Sequence, residues 1–440
     1  MLEKCARWIG QPVYFDAIVW PFAQLPGPRE VILRLPSFLG FTVAAFLVYR
    51  VGRCILGVET AASAMLLFCA MASYYASDAR PYALGLMCAS GAILFLLRWM
   101  EHGKIVDALF YAIFAALTLY FHFLFGVMFA VHGAYIVLRV LQRKPPRFLA
   151  VVLSVGVILL LLIPLIPSFT RTLSARGSFT FVDKPRMESL ILESVPVFLY
   201  GFLIAGLMTA VLLFENTRFS RPKILPPEVW LILMWAAAAP SALFFYSMLS
   251  PVSLFLPRYF SVALPGLALT VAWLISLFQP RPARLLITLV LVAGALINRG
   301  GPLRNPPHKN EDWRGAMAAV RKITEGKSLP VLTRSDFIES ADPAKFADPQ
   351  QAEFLMAPQF VYPPGGNIIP LPVRADDRAF KRLETIVEQI LLKGDQFILV
   401  SVKDDGTYRV WLKGRLQSSS FSIRDLGNFG RISVDLFERN

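Results

Sequence analysis

The fold class is decided by one uncharged stretch, Phe148-Leu-Ala-Val-Val-Leu-Ser-Val-Gly-Val-Ile-Leu-Leu-Leu-Leu-Ile-Pro-Leu-Ile166. A helix needs about 20 mostly apolar residues to cross the hydrocarbon core of a bilayer. The stretch has this length and composition, and the basic residues Arg143, Lys144 and Arg147 lie just before it. It therefore predicts a transmembrane helix.

Similar apolar runs recur through the first 300 residues. The chain of 440 residues is 56% hydrophobic and 17% charged, with a mean hydropathy of +0.55. Because a soluble domain cannot bury that much apolar surface, we predict an α-helical polytopic membrane protein with about ten transmembrane helices. Their ranges are roughly 33–50, 59–76, 80–98, 105–121, 123–141, 147–167, 189–214, 228–249, 259–278 and 283–299.

Positive charges in the loops orient these helices. One set of alternate loops carries 13 Lys and Arg residues, and the other set carries six. Since cytoplasmic loops hold the excess of Lys and Arg, the second set is predicted to be extracytoplasmic. We therefore expect residues 77–82, 120–125, 168–188, 250–258 and everything after 300 to face outward. The same distribution explains the net charge of +14 without a nucleic-acid partner.

The sequence predicts three domains. Residues 1–32 are basic and interrupted by prolines, which indicates an outward interfacial segment rather than a span. Ten spans also place this basic segment outside, so we expect a further helix upstream of Met1. Residues 33–299 form the transmembrane domain. In residues 300–440, helical patterns at 310–322 and 377–392 alternate with strand-like runs at 329–333, 367–371, 396–402 and 431–437. This alternation predicts a small extracytoplasmic α/β domain.

Several familiar catalytic motifs are absent from the sequence. It has no phosphate-binding glycine loop ending in Lys-Ser/Thr, no His-Glu-x-x-His motif, and no metal-type spacing among its four cysteines. The informative polar residues lie instead at the outer ends of the predicted spans.

The first candidate is the outward turn Tyr74-Tyr-Ala-Ser-Asp-Ala-Arg-Pro-Tyr82. Its acid and base, Asp78 and Arg80, can together hydrogen-bond a sugar and contact a phosphate, with Tyr82 beside them. The alternative is structural, because Asp78 can cap the following helix and Arg80 can reach toward lipid phosphates.

Two further outward turns carry candidates. Arg258, in Pro257-Arg-Tyr259, offers a permanently charged planar fork for a phosphate, although it can equally anchor the chain at the membrane surface. His122, in Tyr120-Phe-His-Phe123, is a candidate for binding or catalysis, although a lone histidine is more often a local hydrogen-bonding residue. His132 lies on an apolar face and is expected to pack.

The N-terminal region adds two candidates. Arg34 precedes the first span, where anchoring to headgroups is the default interpretation. Asp16 is the only acid between Glu3 and Glu30, which makes it a candidate catalytic carboxylate.

Taken in order, these motifs resemble those of the GT-C membrane glycosyltransferases, in particular family 39-like bacterial members and the protein O-mannosyl and aminoarabinose transferases. The resembling motifs are Gln11-Pro-Val-Tyr14, Leu33-Arg-Leu-Pro-Ser37, Ser77-Asp-Ala-Arg-Pro-Tyr82, Phe121-His-Phe123, Pro257-Arg-Tyr259 with Ala263-Leu-Pro-Gly266, and Glu311-Asp-Trp-Arg-Gly315.

The resemblance implies transfer of a sugar from a polyprenyl-phosphate-linked donor to a lipid, glycan or protein acceptor at the bacterial inner membrane. Arg258 and Arg80 would take up the charge of the departing phosphate. An acceptor hydroxyl needs a carboxylate base, for which Asp78 is the candidate. Tyr82, Tyr259 and His122 would line the sugar pocket, with Arg34 and Asp16 as further substrate contacts.

The chain departs from the family pattern in one respect. Family members carry a leading acidic motif after a first transmembrane helix, and neither precedes Gln11 here. We expect either that the sequence is truncated at its N-terminus or that the chain is a catalytically degenerate membrane subunit that binds a glycan or a partner. A transporter or flippase of a lipid-linked sugar is a further alternative. No cofactor is indicated. Some related enzymes use a divalent metal, but the sequence shows no ligand cluster for one.

Overall fold

A computed structural model of the chain describes residues 14–142, 146–174, 184–220, 225–298, 311–402 and 406–440. The chain divides into two compact units, residues 1–306 and 307–440. Residues 11–13 of the first motif and the predicted domain boundary at residue 300 lie outside the described residues.

The first unit is a bundle of apolar helices. Its helices are α1 (Tyr14–Phe22), α2 (Leu35–Ile55), α3 (Val58–Ala72), α4 (Tyr82–His102), α5 (Ile105–Phe121), α6 (Met128–Leu141), α7 (Phe148–Leu162), α8 (Ile166–Ser174), α9 (Phe198–Leu213), α10 (Pro227–Leu249), α11 (Leu264–Ser276) and α12 (Arg281–Asn298). Among the described residues, six helical segments are long and apolar enough to cross a membrane, and four shorter apolar helices accompany them. Each predicted span contains one of these segments, which confirms a helical polytopic membrane protein.

Three of the predicted spans are not single regular helices over their predicted ranges. The second span ends at Ala72 and is followed by a separate short helix, Tyr74–Ser77. The sixth continues through a 3-10 turn at Ile163–Leu165 into α8. The main helix of the seventh begins only at Phe198, after Pro196. Proline lacks an amide hydrogen and restricts the backbone conformation of the preceding residue. The regular α-helix is therefore interrupted near Pro164 and Pro196.

Two glycines allow helices to approach the start of α4 closely. A Cβ added at Gly40 of α2 would lie 2.6 Å from Leu84 Cδ2, and one added at Gly85 would lie 2.6 Å from the Phe125 ring. The segment after α5 and the first turns of α2 are therefore packed directly against the beginning of α4.

Ion pairs join the helices at the other end of the bundle. Among them are Arg98 with Asp107 (3.0 Å), Arg139 with Glu228 (2.9 Å) and Arg284 with Glu59 (3.1 Å). They connect α4 with α5, α6 with α10, and α12 with α3. Because a buried carboxylate is costly without a counter-ion, these pairs neutralise acids that lie between helices.

The second unit is a mixed α/β domain, as predicted. Its elements are α13 (Trp313–Thr324), β3 (Pro330–Arg334), α14 (Pro349–Leu355), α15 (Ala357–Val361), β4 (Asn367–Leu371), α16 (Asp377–Gln389), β5 (Gln396–Val402), α17 (Thr407–Leu416), β6 (Phe421–Phe429) and β7 (Ile432–Arg439), while β1 (Arg218–Phe219) and β2 (Phe278–Gln279) pair within the first unit. The five-stranded sheet has the order β4-β3-β5-β7-β6, in which β4, β3 and β5 are parallel and the other pairings are antiparallel.

Candidate active site

The turn before α4 brings an acid and a base side by side. The amide of Arg80 donates to the carbonyl of Asp78 over 2.7 Å, which closes a tight turn. The Nε atom of Arg80 lies 3.7 Å from Oδ1 of Asp78. Asp78 is 8% exposed, whereas the side chain of Arg80 is 47% exposed. The Asp78 carboxylate is therefore held in the wall of the bundle, and Arg80 reaches outward.

Aromatic rings from separate parts of the chain meet beside this turn. The ring of His122 lies 5.3 Å from that of Tyr82 and 5.6 Å from that of Tyr259, measured between centroids. Tyr75 lies 5.5 Å from Tyr82, and Phe125 lies 4.8 Å from His122. We call these five residues the aromatic cluster. It assembles residues that are up to 184 positions apart in the sequence (Tyr75 to Tyr259).

His122 is buried in this cluster with one nitrogen unused. It is 7% exposed, and its Nδ1 atom has no hydrogen-bond partner in the described part of the chain. Because buried polar atoms are normally paired, this nitrogen is suited to a polar group of a bound ligand.

Arg258 carries a partly buried charge. Its guanidinium lies 5.1 Å over the ring of Tyr259, and its Nη2 atom is 3.5 Å from the Tyr259 hydroxyl. The Nε atom is buried without a partner, and no carboxylate of the described residues lies within ion-pair distance. Burial lowers the pKa of Arg258, the hydroxyl of Tyr259 raises it, and the balance leaves the pKa above its ordinary value. The side chain is a permanent cation that has no counter-ion among the described residues.

The segment that carries Arg258 is hydrogen-bonded to α10 both before and after the arginine. Upstream, the amide of Leu254 donates to the Ser247 hydroxyl of α10 over 2.8 Å. Downstream, the indole of Trp235, also in α10, donates to the carbonyl of Val262 over 2.8 Å. The guanidinium therefore projects from an anchored segment, which reduces the loss of entropy on ligand binding.

The electrostatic balance at this end of the bundle is positive. Tyr74 hydrogen-bonds Asp78 and interacts electrostatically with both Arg80 and Arg258, so these groups lie around one place. One acid faces two arginines there, and that acid is already engaged by Arg80 and Tyr74. Two guanidinium groups beside aromatic rings are suited to a ligand that joins a phosphate to a hydroxyl-rich ring.

Six of the eight residues predicted from the sequence meet here: Asp78, Arg80, Tyr82, His122, Arg258 and Tyr259. Arg34 precedes α2 without a side-chain hydrogen bond to the helix start, is exposed, and forms no ion pair within the described residues. Asp16 is half-buried on α1, beside Phe15, which packs against Leu84 and Phe121. Its helix lies near the cluster, but the described contacts do not place its carboxylate there.

Sequence reasoning did not single out Tyr74 as a site residue, although it lies in the quoted motif. Its hydrogen bond with Asp78 spans one helical turn, and this i to i+4 spacing is the signal that could have indicated it. Among the described residues, no group of three or more His, Cys, Asp or Glu side chains could hold a metal ion.

Comparisons with known proteins bear on the family and the fold of the chain. Residues 10–168 match the family model of dolichyl-phosphate-mannose-protein mannosyltransferases. No curated protein shows significant sequence similarity to the chain. The crystal structure of ArnT from Cupriavidus metallidurans in the apo state is 14% identical, with a TM-score of 0.55 over 98% of this chain and 88% of ArnT. The same protein bound to undecaprenyl phosphate is also 14% identical, with a TM-score of 0.54 over 97% of this chain and 88% of ArnT. The family match and the ArnT-like fold confirm the resemblance of this chain to the GT-C membrane glycosyltransferases.

Proposed function

We propose that this protein transfers a sugar from a polyprenyl-phosphate-linked donor to an acceptor hydroxyl on the extracytoplasmic face of a bacterial inner membrane. In this proposal the donor phosphate lies between Arg80 and Arg258, and the sugar lies against the aromatic cluster. The second unit is then extracytoplasmic, as the charges of the loops predict.

The observation that carries the proposal is the unpaired guanidinium of Arg258. A partly buried cation in a membrane protein is costly unless an anion balances it. No protein carboxylate of the described residues does so, and its Nε atom has no partner. A phosphate oxygen would satisfy both the charge and the hydrogen bond, in the bidentate geometry that arginine favours.

The chemistry follows from these positions. The acceptor oxygen attacks the anomeric carbon of the sugar, and the bond from that carbon to the phosphate oxygen breaks. Both electrons of the broken bond leave with the phosphate, so negative charge develops between Arg80 and Arg258, which stabilise it. The acceptor gives up its proton to the carboxylate of Asp78, which Tyr74 and Arg80 hold in place.

The aromatic cluster is suited to the sugar. The rings of Tyr82 and Tyr259 offer apolar faces with a hydroxyl at the edge, and His122 Nδ1 offers a further hydrogen bond. Support for a polyprenyl donor comes from the ArnT-like fold, because the structure of ArnT from Cupriavidus metallidurans was determined with undecaprenyl phosphate bound.

Sugar transfer in proteoliposomes tests the proposal. The reconstituted protein is supplied with radiolabelled polyprenyl-phosphate sugars and with membrane lipid and glycan acceptors. We expect Arg258→Ala to lower kcat/KM by about a hundredfold or more, and Arg258→Lys by about tenfold, because lysine keeps the charge and loses the fork. The matched control is Arg50→Ala, since Arg50 also lies over a ring, that of Phe46 at 5.8 Å, but near the far end of α2.

The alternative functions predict other results. A transporter would move the labelled donor across the bilayer without forming a glycosylated product. A binding subunit would retain the glycan or a partner without either activity. Equal transfer by Arg258→Ala and Arg50→Ala would contradict the proposed phosphate site.

A further inference from the structure

Ser37 is a buried hydroxyl of α2 that reaches the candidate site from a neighbouring helix. It lies in the first helical turn of α2 and is 0% exposed. Its Oγ atom donates to the carbonyl oxygen of Arg80 over 3.1 Å. The two residues are 43 positions apart, so this bond ties α2 to the turn that carries Asp78 and Arg80.

The Ser37 hydroxyl supplies the Arg80 carbonyl with a hydrogen-bond donor, which α4 itself does not provide. The hydrogen-bond ladder of α4 starts one residue later, where the amide of Gly85 donates to the carbonyl of Pro81 over 3.0 Å. On its other side, the amide of Arg80 is held by the Asp78 carbonyl over 2.7 Å. The peptide groups on both sides of the Arg80 Cα atom are therefore fixed, which sets the direction in which its side chain leaves the backbone.

Close packing keeps the hydroxyl within reach. Three residues after Ser37, the absence of a side chain at Gly40 lets α2 approach α4, because a Cβ there would lie 2.6 Å from Leu84 Cδ2. Ser37 can thus act on Arg80 without touching a ligand.

We infer that Ser37 is a positioning residue: it orients Arg80, which binds the donor phosphate. The inference rests on the proposed function. The Arg80 side chain is long and half-exposed, and its close charged neighbour is Asp78 at 3.7 Å. Packing alone restrains such a side chain weakly, so its direction depends on the backbone that carries it. Loss of the Ser37 bond would let the Arg80 peptide turn and would spread the guanidinium over more orientations.

A double-mutant cycle tests this inference through binding, without sugar transfer. Undecaprenyl phosphate is titrated against the full-length protein in lipid nanodiscs, and bound lipid is measured by native mass spectrometry. We expect Ser37→Ala to weaken binding by about three- to tenfold, the range for one neutral hydrogen bond. In the Arg80→Ala background the same substitution should have no further effect, because the side chain to be positioned is gone. In the Arg258→Ala background it should keep its full effect.

Ser154→Ala is the matched control. Ser154 is also buried in the bundle, at 2% exposure; its Oγ atom donates to the carbonyl of Ala150 (2.7 Å) and lies 3.3 Å from the carbonyl of Ala108. Its removal deletes a hydroxyl of the same kind away from the site, so binding should not change. If Ser37→Ala is not recovered folded, Ser37→Cys replaces it, since the thiol has a similar shape and is a weak donor.

The outcomes separate this inference from the proposed function. If the wild type binds and the arginine variants weaken binding while Ser37→Ala does not, the inference is wrong and the phosphate site stands. An equal loss on Ser37→Ala in the wild type and in the Arg80→Ala background also overturns it, because Ser37 then acts elsewhere. If the wild type does not bind undecaprenyl phosphate, both fail.

Discussion

Replacing Asp78 by asparagine separates its two conceivable roles, general base and partner of Arg80. The amide keeps the shape of the carboxylate and can still accept a hydrogen bond from Tyr74, but it takes up no proton at neutral pH. The two roles predict losses of different size.

The ion pair accounts for only a small effect. The Arg80 side chain is 47% exposed and its Nε atom lies 3.7 Å from Oδ1 of Asp78. A pair screened by solvent to this degree contributes at most about 1 kcal/mol, or about fivefold in donor binding. Loss of a general base instead costs about 10²- to 10⁴-fold in kcat. We therefore expect Asp78→Asn to lower kcat by at least about a hundredfold and to raise the KM for the donor by no more than about fivefold.

The assay is steady-state transfer in proteoliposomes, with kcat expressed per folded molecule. The control is Asp107→Asn, because Asp107 is also buried beside an arginine, 3.0 Å from Arg98, but at the opposite end of α5 from His122. It should lower stability and leave kcat intact. If Asp78→Asn kept more than a tenth of the wild-type kcat, Asp78 would not be the base, and Asp16 would become the carboxylate to test.

Three more substitutions probe the site and the two units. His122→Phe keeps the ring contacts and loses the free nitrogen. It should therefore weaken binding of the sugar-bearing donor by about tenfold and leave binding of undecaprenyl phosphate unchanged. Equal effects on both ligands would contradict a sugar contact. Arg139→Met leaves Glu228 without the cation 2.9 Å away and should lower the free energy of unfolding by about 3 kcal/mol. The thermal unfolding midpoint in detergent should fall, and the double variant Arg139→Met/Glu228→Met should largely restore it. An unchanged midpoint in Arg139→Met would show that the pair is dispensable. Burial raises the pKa of the Asp435 carboxyl, although Arg409 opposes the shift. As pH rises, Asp435 therefore loses its proton in the unfolded chain before it does so in the folded one. The stability of the second unit should fall between the ordinary carboxyl pKa and the raised value. Asp435→Asn should remove this dependence, measured as amide-exchange protection of β7 corrected for intrinsic rates, and an unaltered pH profile would refute the assignment.

The sequence was sufficient to predict much of the fold because the bilayer imposes a simple rule. Apolar runs of sufficient length must become helices in lipid, so the run that contains Phe148–Leu162 was identifiable by composition alone. Helix ends near Pro164 and Pro196 were less predictable, because proline permits either a 3-10 continuation or a break. In the second unit, the helices α14, α15 and α17 and the strand β6 were missed. The strand Phe421–Phe429 has only half-buried or exposed residues and an irregularity between Asp425 and Gly427, which obscure its alternation.

The residues of the candidate site were easier to predict from the sequence than the contacts between them. Arg258 and His122 lie in short polar interruptions between apolar runs, which made them identifiable as candidates in the sequence. That the rings of Tyr82, His122 and Tyr259 meet depends on packing between distant helices, which local pattern does not encode. For the same reason, the bond from Ser37 to Arg80 could not be predicted, because a serine near a helix start is ordinarily a local hydrogen-bonding residue.

The most direct test of the central claim is an electron cryo-microscopy structure of the full-length protein in nanodiscs with undecaprenyl phosphate. We expect phosphate density within hydrogen-bond distance of the guanidinium groups of both Arg258 and Arg80, beside the rings of Tyr82 and Tyr259. Phosphate density at another place on the bundle, with Arg258 still unpaired over Tyr259, would contradict it.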